Sequence, residues 1–160
     1  MKRLLVLLAI GAVLGCTSKN DPPQPPVDPV FPADWAKSYT QVRECRKSID
    51  HDVRYVTIFA DPTSLSSYKN HDKLFPAGSI ILKVEYQDDK CASAFRGYTV
   101  MRREKGYSPG NGDWHWQKTD AASKVLEDGL PYRCVGCHRD NCMVKPPDGW
   151  DWTCSALIAN

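Results

Sequence analysis

The stretch Ser79-Ile80-Ile81-Leu82-Lys83-Val84-Glu85-Tyr86 has the alternating pattern of a β-strand. Successive residues of a strand point to opposite faces of the sheet. One face is therefore apolar and carries Ile80, Leu82, Val84 and Tyr86. The other face carries Ile81, Lys83 and Glu85, so that Lys83 is an isolated basic residue between apolar neighbours. The pattern predicts a strand with two chemically distinct faces.

Three other segments are rich in the β-branched and aromatic residues that strands favour. They are residues 51–60, 95–103 and 114–118. Turn and loop signals separate them. Asp61-Pro62-Thr63 begins a short helix through Leu65 and Tyr68, Phe75-Pro76-Ala77-Gly78 is a turn, and residues 107–113 are a Gly/Pro/Asn loop.

Helical segments are predicted on both sides of these strands. Asp34 has the character of an N-cap residue, and the apolar residues after it recur near helical spacing. These residues are Trp35, Tyr39, Val42 and Ile49. We expect this amphipathic helix to end near Lys47, and a second helix to run from Asp120 through Leu126 and end at Gly129. The predicted fold class is α+β, a mainly antiparallel sheet with a few flanking helices.

The first 15 residues have the pattern of a bacterial export signal. Lys2 and Arg3 precede an apolar run that is too short to span a bilayer. Val13-Leu14-Gly15-Cys16 resembles a lipobox, which predicts acylation of Cys16 and a lipid-anchored protein of the cell envelope that faces the periplasm. Thr17 stands where an Asp would suggest the inner membrane, so we expect the outer membrane. Ordinary cleavage elsewhere is the alternative, but no Ala-x-Ala site is present.

The rest of the chain divides into a linker and one domain. Residues 16–34 contain the lipidated cysteine and six of the 12 prolines, which predicts an extended, stiff linker. Residues 35–160 form one domain of roughly 125 residues, enough for one core. Without residues 1–15 the chain has 19 basic and 19 acidic residues. This neutral balance argues against a nucleic-acid partner and leaves the lipid as the sole membrane contact.

The sequence Cys134-Val135-Gly136-Cys137-His138 is C-x-x-C-H, the attachment signature of a c-type haem. On one helical turn, the two thiols can form thioethers to the vinyl groups of one porphyrin, and His138 can bind iron from the proximal side. We therefore expect one covalent haem c. A disulfide or a zinc site with Cys142 and Cys154 is the alternative. Zinc, however, gives no reason for a histidine directly after the second cysteine.

Four of the seven cysteines remain after lipid and haem are assigned. They are Cys45, Cys91, Cys142 and Cys154. An even number in an oxidising compartment predicts two disulfides, with three possible pairings. Sequence alone does not determine the connectivity. We prefer Cys45–Cys91 and Cys142–Cys154, because the second disulfide would staple the tail behind the haem motif.

The place of the motif excludes two familiar haem architectures. Small helical cytochromes c have the motif near the N-terminus and a distant methionine ligand, whereas here Met143 lies five residues after His138 on the proximal side. The helices of a four-helix cytochrome c′ do not fit residues 51–118. A β-rich haem protein with no obvious sixth ligand remains.

This order of segments resembles the cytochrome P460 family, which includes the β-type cytochromes c′. The resemblance covers roughly residues 50–155. It lies in residues 75–85, Gly97-Tyr98-Thr99-Val100-Met101, residues 110–116, the C-x-x-C-H motif and Asp151-Trp152-Thr153.

The resemblance implies a five-coordinate haem that oxidises hydroxylamine. In the P460 enzymes a lysine on the strand after the F-x-x-G turn bonds to a haem meso carbon, and Lys83 stands at the matching place. A solvent-facing lysine paired with Glu85 is the alternative. The family enzymes also use a distal carboxylate to accept protons. Glu127 and Asp128 are the nearest candidates, and solvated residues at a helix end are the alternative for both.

Three functions follow as hypotheses. The first is P460-like redox chemistry on hydroxylamine or nitric oxide with a redox partner protein, the second a non-catalytic cytochrome that binds NO or CO, and the third a simple electron carrier. An apolar distal wall would favour gas binding, with Phe59, Phe75 and Phe95 as candidates. The resemblance also suggests a homodimer.

The other histidines are expected to have no role at the iron. We expect His51 and His71 to be exposed at the ends of elements, and His115 to occupy a surface position on its strand. If His115 did reach the iron, it would close the sixth site and favour electron transfer.

Overall fold

The computed structural model describes residues 26–48, 54–143 and 149–155. Within these residues, six strands form one antiparallel sheet in sequence order. They are β1 (Thr40–Lys47), β2 (Tyr55–Ala60), β3 (Ile80–Tyr86), β4 (Phe95–Arg103), β5 (Trp114–Asp120) and β6 (Val125–Gly129). Helix α1 (Leu65–Asn70) joins β2 to β3, and α2 (Tyr132–Cys142) follows β6. The predicted α+β class is confirmed. Neither of these helices has the length and apolar character needed to cross a membrane.

The predicted helix from Trp35 to Lys47 is wrong. One 3-10 turn ends at Lys37, Asp34 makes no side-chain cap hydrogen bond, and β1 follows. The pairing of β1 with β2 shifts register on both sides of Arg43. Such bulges break the two-residue alternation of a strand. The apolar spacing in this segment therefore resembled that of a helix.

The predicted helix from Asp120 to Leu126 is also wrong, because these residues form a hairpin between β5 and β6. The Asp120 carboxylate accepts hydrogen bonds of 2.9 Å from the backbone N–H groups of Ala122 and Lys124. Ser123 has a φ of 63°. An aspartate that accepts nearby backbone N–H groups suits a turn as well as a helix start.

The sheet has an apolar core on each face. Ile81 contributes to the larger core, whose other buried members are Val42, Val56, Ile58, Ala60, Tyr68, Phe75, Met101, Trp114, Trp116 and Trp152. Leu82 lies on the opposite face with Phe31, Ile80 and Val100. The backbone N–H of Val30 donates to Gln117 Oε1 at 2.8 Å. The packed structure therefore extends upstream of Trp35.

Two disulfides cross-link the described part of the chain. Cys45 of β1 is joined to Cys91 in the loop after β3, with a sequence separation of 46 residues. Cys142 at the end of α2 is joined to Cys154, with a separation of 12 residues. The second disulfide holds residues 149–155 against the helix that carries the C-x-x-C-H motif.

Removal of the Cys45–Cys91 disulfide should destabilise the protein more than removal of Cys142–Cys154. A disulfide lowers the entropy of the unfolded chain more when it closes a longer loop. The free energy of unfolding should therefore fall by about 4 kcal/mol without Cys45–Cys91 and by about 3 kcal/mol without Cys142–Cys154. Paired Cys→Ser variants would be compared by urea denaturation. Equal losses, or a larger loss for the short loop, would contradict the loop-length argument.

Candidate haem site

Helix α2 carries all three chemically important residues of the C-x-x-C-H motif. Cys134 and Cys137 are half-buried, and His138 is 5% exposed. Cys134 and Val135 pack against the larger apolar core. The helix therefore turns its cysteine and histidine side chains toward the sheet.

A cleft with about 840 Å³ of empty space, its open mouth included, lies beside this helix. Its lining combines apolar sheet residues, motif residues and a basic rim. The lining includes Val56, Ile58, Ile81, Lys83, Met101, Tyr68, Cys137, His138, Thr153, Arg46 and Lys47. Apolar walls with cations at the rim suit a flat apolar macrocycle that bears carboxylates.

The imidazole of His138 is held by a backbone carbonyl. Its Nδ1 lies 2.6 Å from the carbonyl oxygen of Trp152, to which it donates a proton. This bond selects the tautomer in which Nε2 is the nitrogen that can bind a metal. The acceptor lies 14 residues away in an irregular segment, so sequence analysis left it unidentified.

The register of the sheet places a polar row across the face that α2 covers. Lys83 pairs with Thr99, Thr99 with Lys118, and Lys118 with Glu127. Directly paired residues of antiparallel strands project from the same face. Lys83 and Glu127, 44 positions apart in sequence, therefore lie on the same face, and Lys83 also lines the cleft.

The charges of this row act on the first cysteine of the motif. Burial raises the pKa of the Cys134 thiol and Glu127 raises it further, while Arg133, Lys83 and Lys118 lower it. The net effect is a pKa above the usual value for a cysteine. Across the described ranges, no three His, Cys, Asp or Glu side chains are grouped to hold a metal ion. Two thiols outside disulfides, beside a histidine and a cleft, fit a porphyrin better.

The two acidic residues before the motif have different surroundings, and both lie on β6, not at a helix end. Glu127 projects from the cleft side and lies 3.8 Å from Arg133 in an ion pair. Asp128 projects from the other side, where its Oδ1 accepts hydrogen bonds from Gln117 at 2.7 Å and contacts His115 at 2.8 Å. Of these two residues, only Glu127 lies on the cleft face of the sheet.

The three phenylalanines do not form one wall. Phe59 packs on the face opposite the cleft, against Trp35. Phe95 packs against Tyr98, which belongs to that same face. Only Phe75 belongs to the cleft-side core. The distal-wall hypothesis is wrong for Phe59 and Phe95, because strand alternation turns both away from the cleft.

The exposure predicted for two histidines is wrong. His71 is 8% exposed, because Trp150 stacks on its ring and Ser155 contacts its Nε2 at 2.9 Å. His115 is also buried, between the carboxylates of Glu104 and Asp128, on the face opposite the cleft. It therefore does not face an iron bound there. His51 lies outside the described residues, and Met143 is exposed just beyond α2.

The family model described as Cytochrome P460 matches residues 32–144, which is most of the chain. The chain belongs to the cytochrome P460 family. The matched region includes every strand of the sheet and the C-x-x-C-H helix, so the family resemblance is confirmed and a haem cofactor is implied. No curated protein matches the chain.

The stability of the protein should depend on pH through His71. Burial lowers the pKa of this imidazole below 6.5, and the positive charge of Arg43 lowers it further. As the pH falls below about 6.5, the unfolded chain is protonated first, so folding stability declines. A His71→Asn variant, which tolerates the left-handed backbone at this position, should lose less stability between pH 7.5 and 5.5 in urea titrations. Equal losses in both proteins would show that His71 is not responsible.

Proposed function

We propose that this chain is a lipid-anchored protein with one covalent haem c that performs redox chemistry on hydroxylamine or nitric oxide at a five-coordinate iron. One observation carries the proposal. The motif residues Cys137 and His138 line a cleft whose sheet wall presents Lys83. A lysine at this place is what the cross-linked P460 enzymes require.

Cys134, Cys137 and His138 would hold the cofactor. Each thiol would add its S–H across a vinyl group, a step without net oxidation. His138 would bind iron through Nε2 while its Nδ1–H donates to the Trp152 carbonyl, which makes the imidazole a more basic ligand. When bound, the haem supplies an iron that takes up a small nitrogen-oxide ligand and exchanges electrons.

Lys83 and Glu127 would act from the sheet side. A bond from Lys83 Nζ to a meso carbon replaces one N–H and one C–H, so two electrons and two protons must pass to an oxidant of the peroxide class. Oxidation of hydroxylamine to nitric oxide releases three electrons and three protons. The electrons would pass to a redox partner protein. Glu127, on the cleft side of β6, would accept protons.

Two alternative functions each have an observation in their favour. The apolar side chains of Val56, Ile58 and Ile81 line the cleft and offer no proton acceptor, which favours a non-catalytic cytochrome that binds NO or CO. Met101 also lines the cleft, and a thioether is a known axial ligand in cytochromes c. Coordination by Met101 would favour an electron carrier.

The experiment that separates these functions compares Lys83→Ala with Lys118→Ala, a lysine of the same polar row. The full chain would be matured with a c-type haem system, digested and weighed. We expect haem to join the Cys134–Cys137 peptide to a peptide containing Lys83 in wild type and in Lys118→Ala. In Lys83→Ala that link, and most hydroxylamine turnover, should be lost.

Other outcomes of this experiment point to other functions. Haem on the cysteine peptide alone in wild type would favour the gas-binding cytochrome. A further measurement adds CO to the ferrous wild-type protein. Slow or absent binding of CO would favour the electron carrier. A matured chain without haem would contradict the whole proposal.

We further propose that acylated Cys16 anchors the protein at the periplasmic side of the outer membrane. Several acyl chains on one residue hold a protein at a bilayer without a spanning helix. We also propose that the protein forms a homodimer, and this proposal is supported by the family resemblance alone.

A Cys16→Ser variant should move from the membrane fraction to the soluble fraction of lysed cells. The lipid is the proposed membrane contact, so its loss should release the protein. A Cys16→Ser protein that stays in the membrane fraction would show that another feature anchors the chain.

A further inference from the structure

Two consecutive residues beside the candidate iron ligand have a rare backbone conformation. Asp151 has a φ of 43° and Trp152 a φ of 72°. Residues other than glycine seldom adopt positive φ, because it strains the backbone, and the conformation persists only where the surroundings enforce it. Such strain often occurs at functional sites. Here it lies at the carbonyl that accepts the proton of His138.

The Asp151 side chain is tied to two distant parts of the fold. Its Oδ2 accepts a hydrogen bond from the backbone N–H of Phe75 at 2.8 Å and a second one from the guanidinium of Arg103. Both side chains of the ion pair are shielded, with 6% of Asp151 and 16% of Arg103 exposed. Burial strengthens such charge-assisted hydrogen bonds.

The backbone of the same residue is tied to a third place. The indole Nε1 of Trp114 donates to the Asp151 carbonyl at 3.1 Å. Asp151 is thus fixed by the turn before β3, the end of β4 and the start of β5. These three attachments hold Asp151 in a left-handed backbone conformation that residues other than glycine seldom adopt.

The next residue depends on this arrangement. Trp152 is buried and packs edge-on against Trp116, with 6.2 Å between the ring centroids. A Cβ added at Gly112 would lie 2.7 Å from the Trp152 indole, so the absence of a side chain there leaves room for it. With Asp151 fixed and the indole packed, the Trp152 carbonyl is directed at His138 Nδ1.

We propose that Asp151 is a positioning residue for the haem iron ligand, acting with Arg103 through the Trp152 carbonyl. This inference rests on the proposed function, since it concerns His138 as an iron ligand. A well-aimed carbonyl increases the electron donation of the imidazole and stabilises ferric over ferrous iron. Loss of the hydrogen bonds that Asp151 Oδ2 accepts should therefore weaken the iron–histidine bond and raise the reduction potential.

The test uses the full chain with covalently attached haem and three variants. Asp151→Ala removes the acceptor, and Arg103→Gln removes the guanidinium group that donates to it. Asp151→Asn is the conservative variant, because asparagine tolerates positive φ and one amide oxygen can replace Oδ2 as acceptor for both hydrogen bonds.

Asp88→Ala serves as the matched control. Asp88 also accepts several backbone N–H groups in a loop with positive-φ residues, Cys91 and Ala94. That loop lies at the opposite end of β4 from Arg103. Loss of the Asp88 carboxylate should disturb a strained loop without affecting the hydrogen bond between His138 and the Trp152 carbonyl.

The readouts are the iron–histidine stretching frequency of the ferrous protein by resonance Raman spectroscopy and the reduction potential. We expect a lower frequency and a higher potential in Asp151→Ala and Arg103→Gln, and near wild-type values in Asp151→Asn and Asp88→Ala. If Asp151→Ala does not fold, the stretching frequency and reduction potential of Arg103→Gln test the inference.

Wild-type values in a folded Arg103→Gln or Asp151→Ala protein would overturn the inference and leave the proposed function intact. A change of the same size in Asp88→Ala would also overturn it, because the effect would then be general. A wild-type chain that carries no haem would refute the proposed function, and this inference with it.

Discussion

The whole structure depends on the need to cover both faces of one antiparallel sheet. One face of β3 is apolar, and neighbouring elements give the other face of the sheet a second apolar core. Exposed apolar area of this extent is unfavourable in water. The two ends of the chain meet this need separately. Residues around Phe31 and Trp35 cover one face, while α1, α2 and residues 149–155 contact the other. The cleft lies on the second face, bounded by the elements that cover it.

The cleft face of the sheet also carries polar residues beside its apolar core. Glu85 is 1% exposed, and it forms an ion pair with Arg54 at 2.8 Å and accepts a hydrogen bond from Thr99. A buried carboxylate is tolerated only when it is paired in this way. Lys83 and Glu127 continue the polar character across the sheet. Polar side chains kept on a face that is otherwise core are typical of functional sites.

The wrong sequence predictions arise from local patterns that two structures share. Bulges in β1 gave its apolar residues a helix-like spacing. Asp120 could cap a helix or a turn, and only its pairing within the β5–β6 hairpin decides between them. The histidine errors have a different cause. His71 and His115 are buried by Trp150 and Asp128, residues remote from them in the chain.

The sequence by itself determined the fold class, the faces of β3 and the C-x-x-C-H residues, because each depends on neighbours a few positions apart. Only the tertiary structure decided which of the two acidic residues of β6 lies on the cleft face of the sheet, which carbonyl accepts the proton of His138, and that Arg103 holds Asp151 beside it. These facts depend on strand register and on a tail that folds back over the sheet. The register of the strands and the position of the tail result from packing across the whole domain, so no local pattern of residues encodes them.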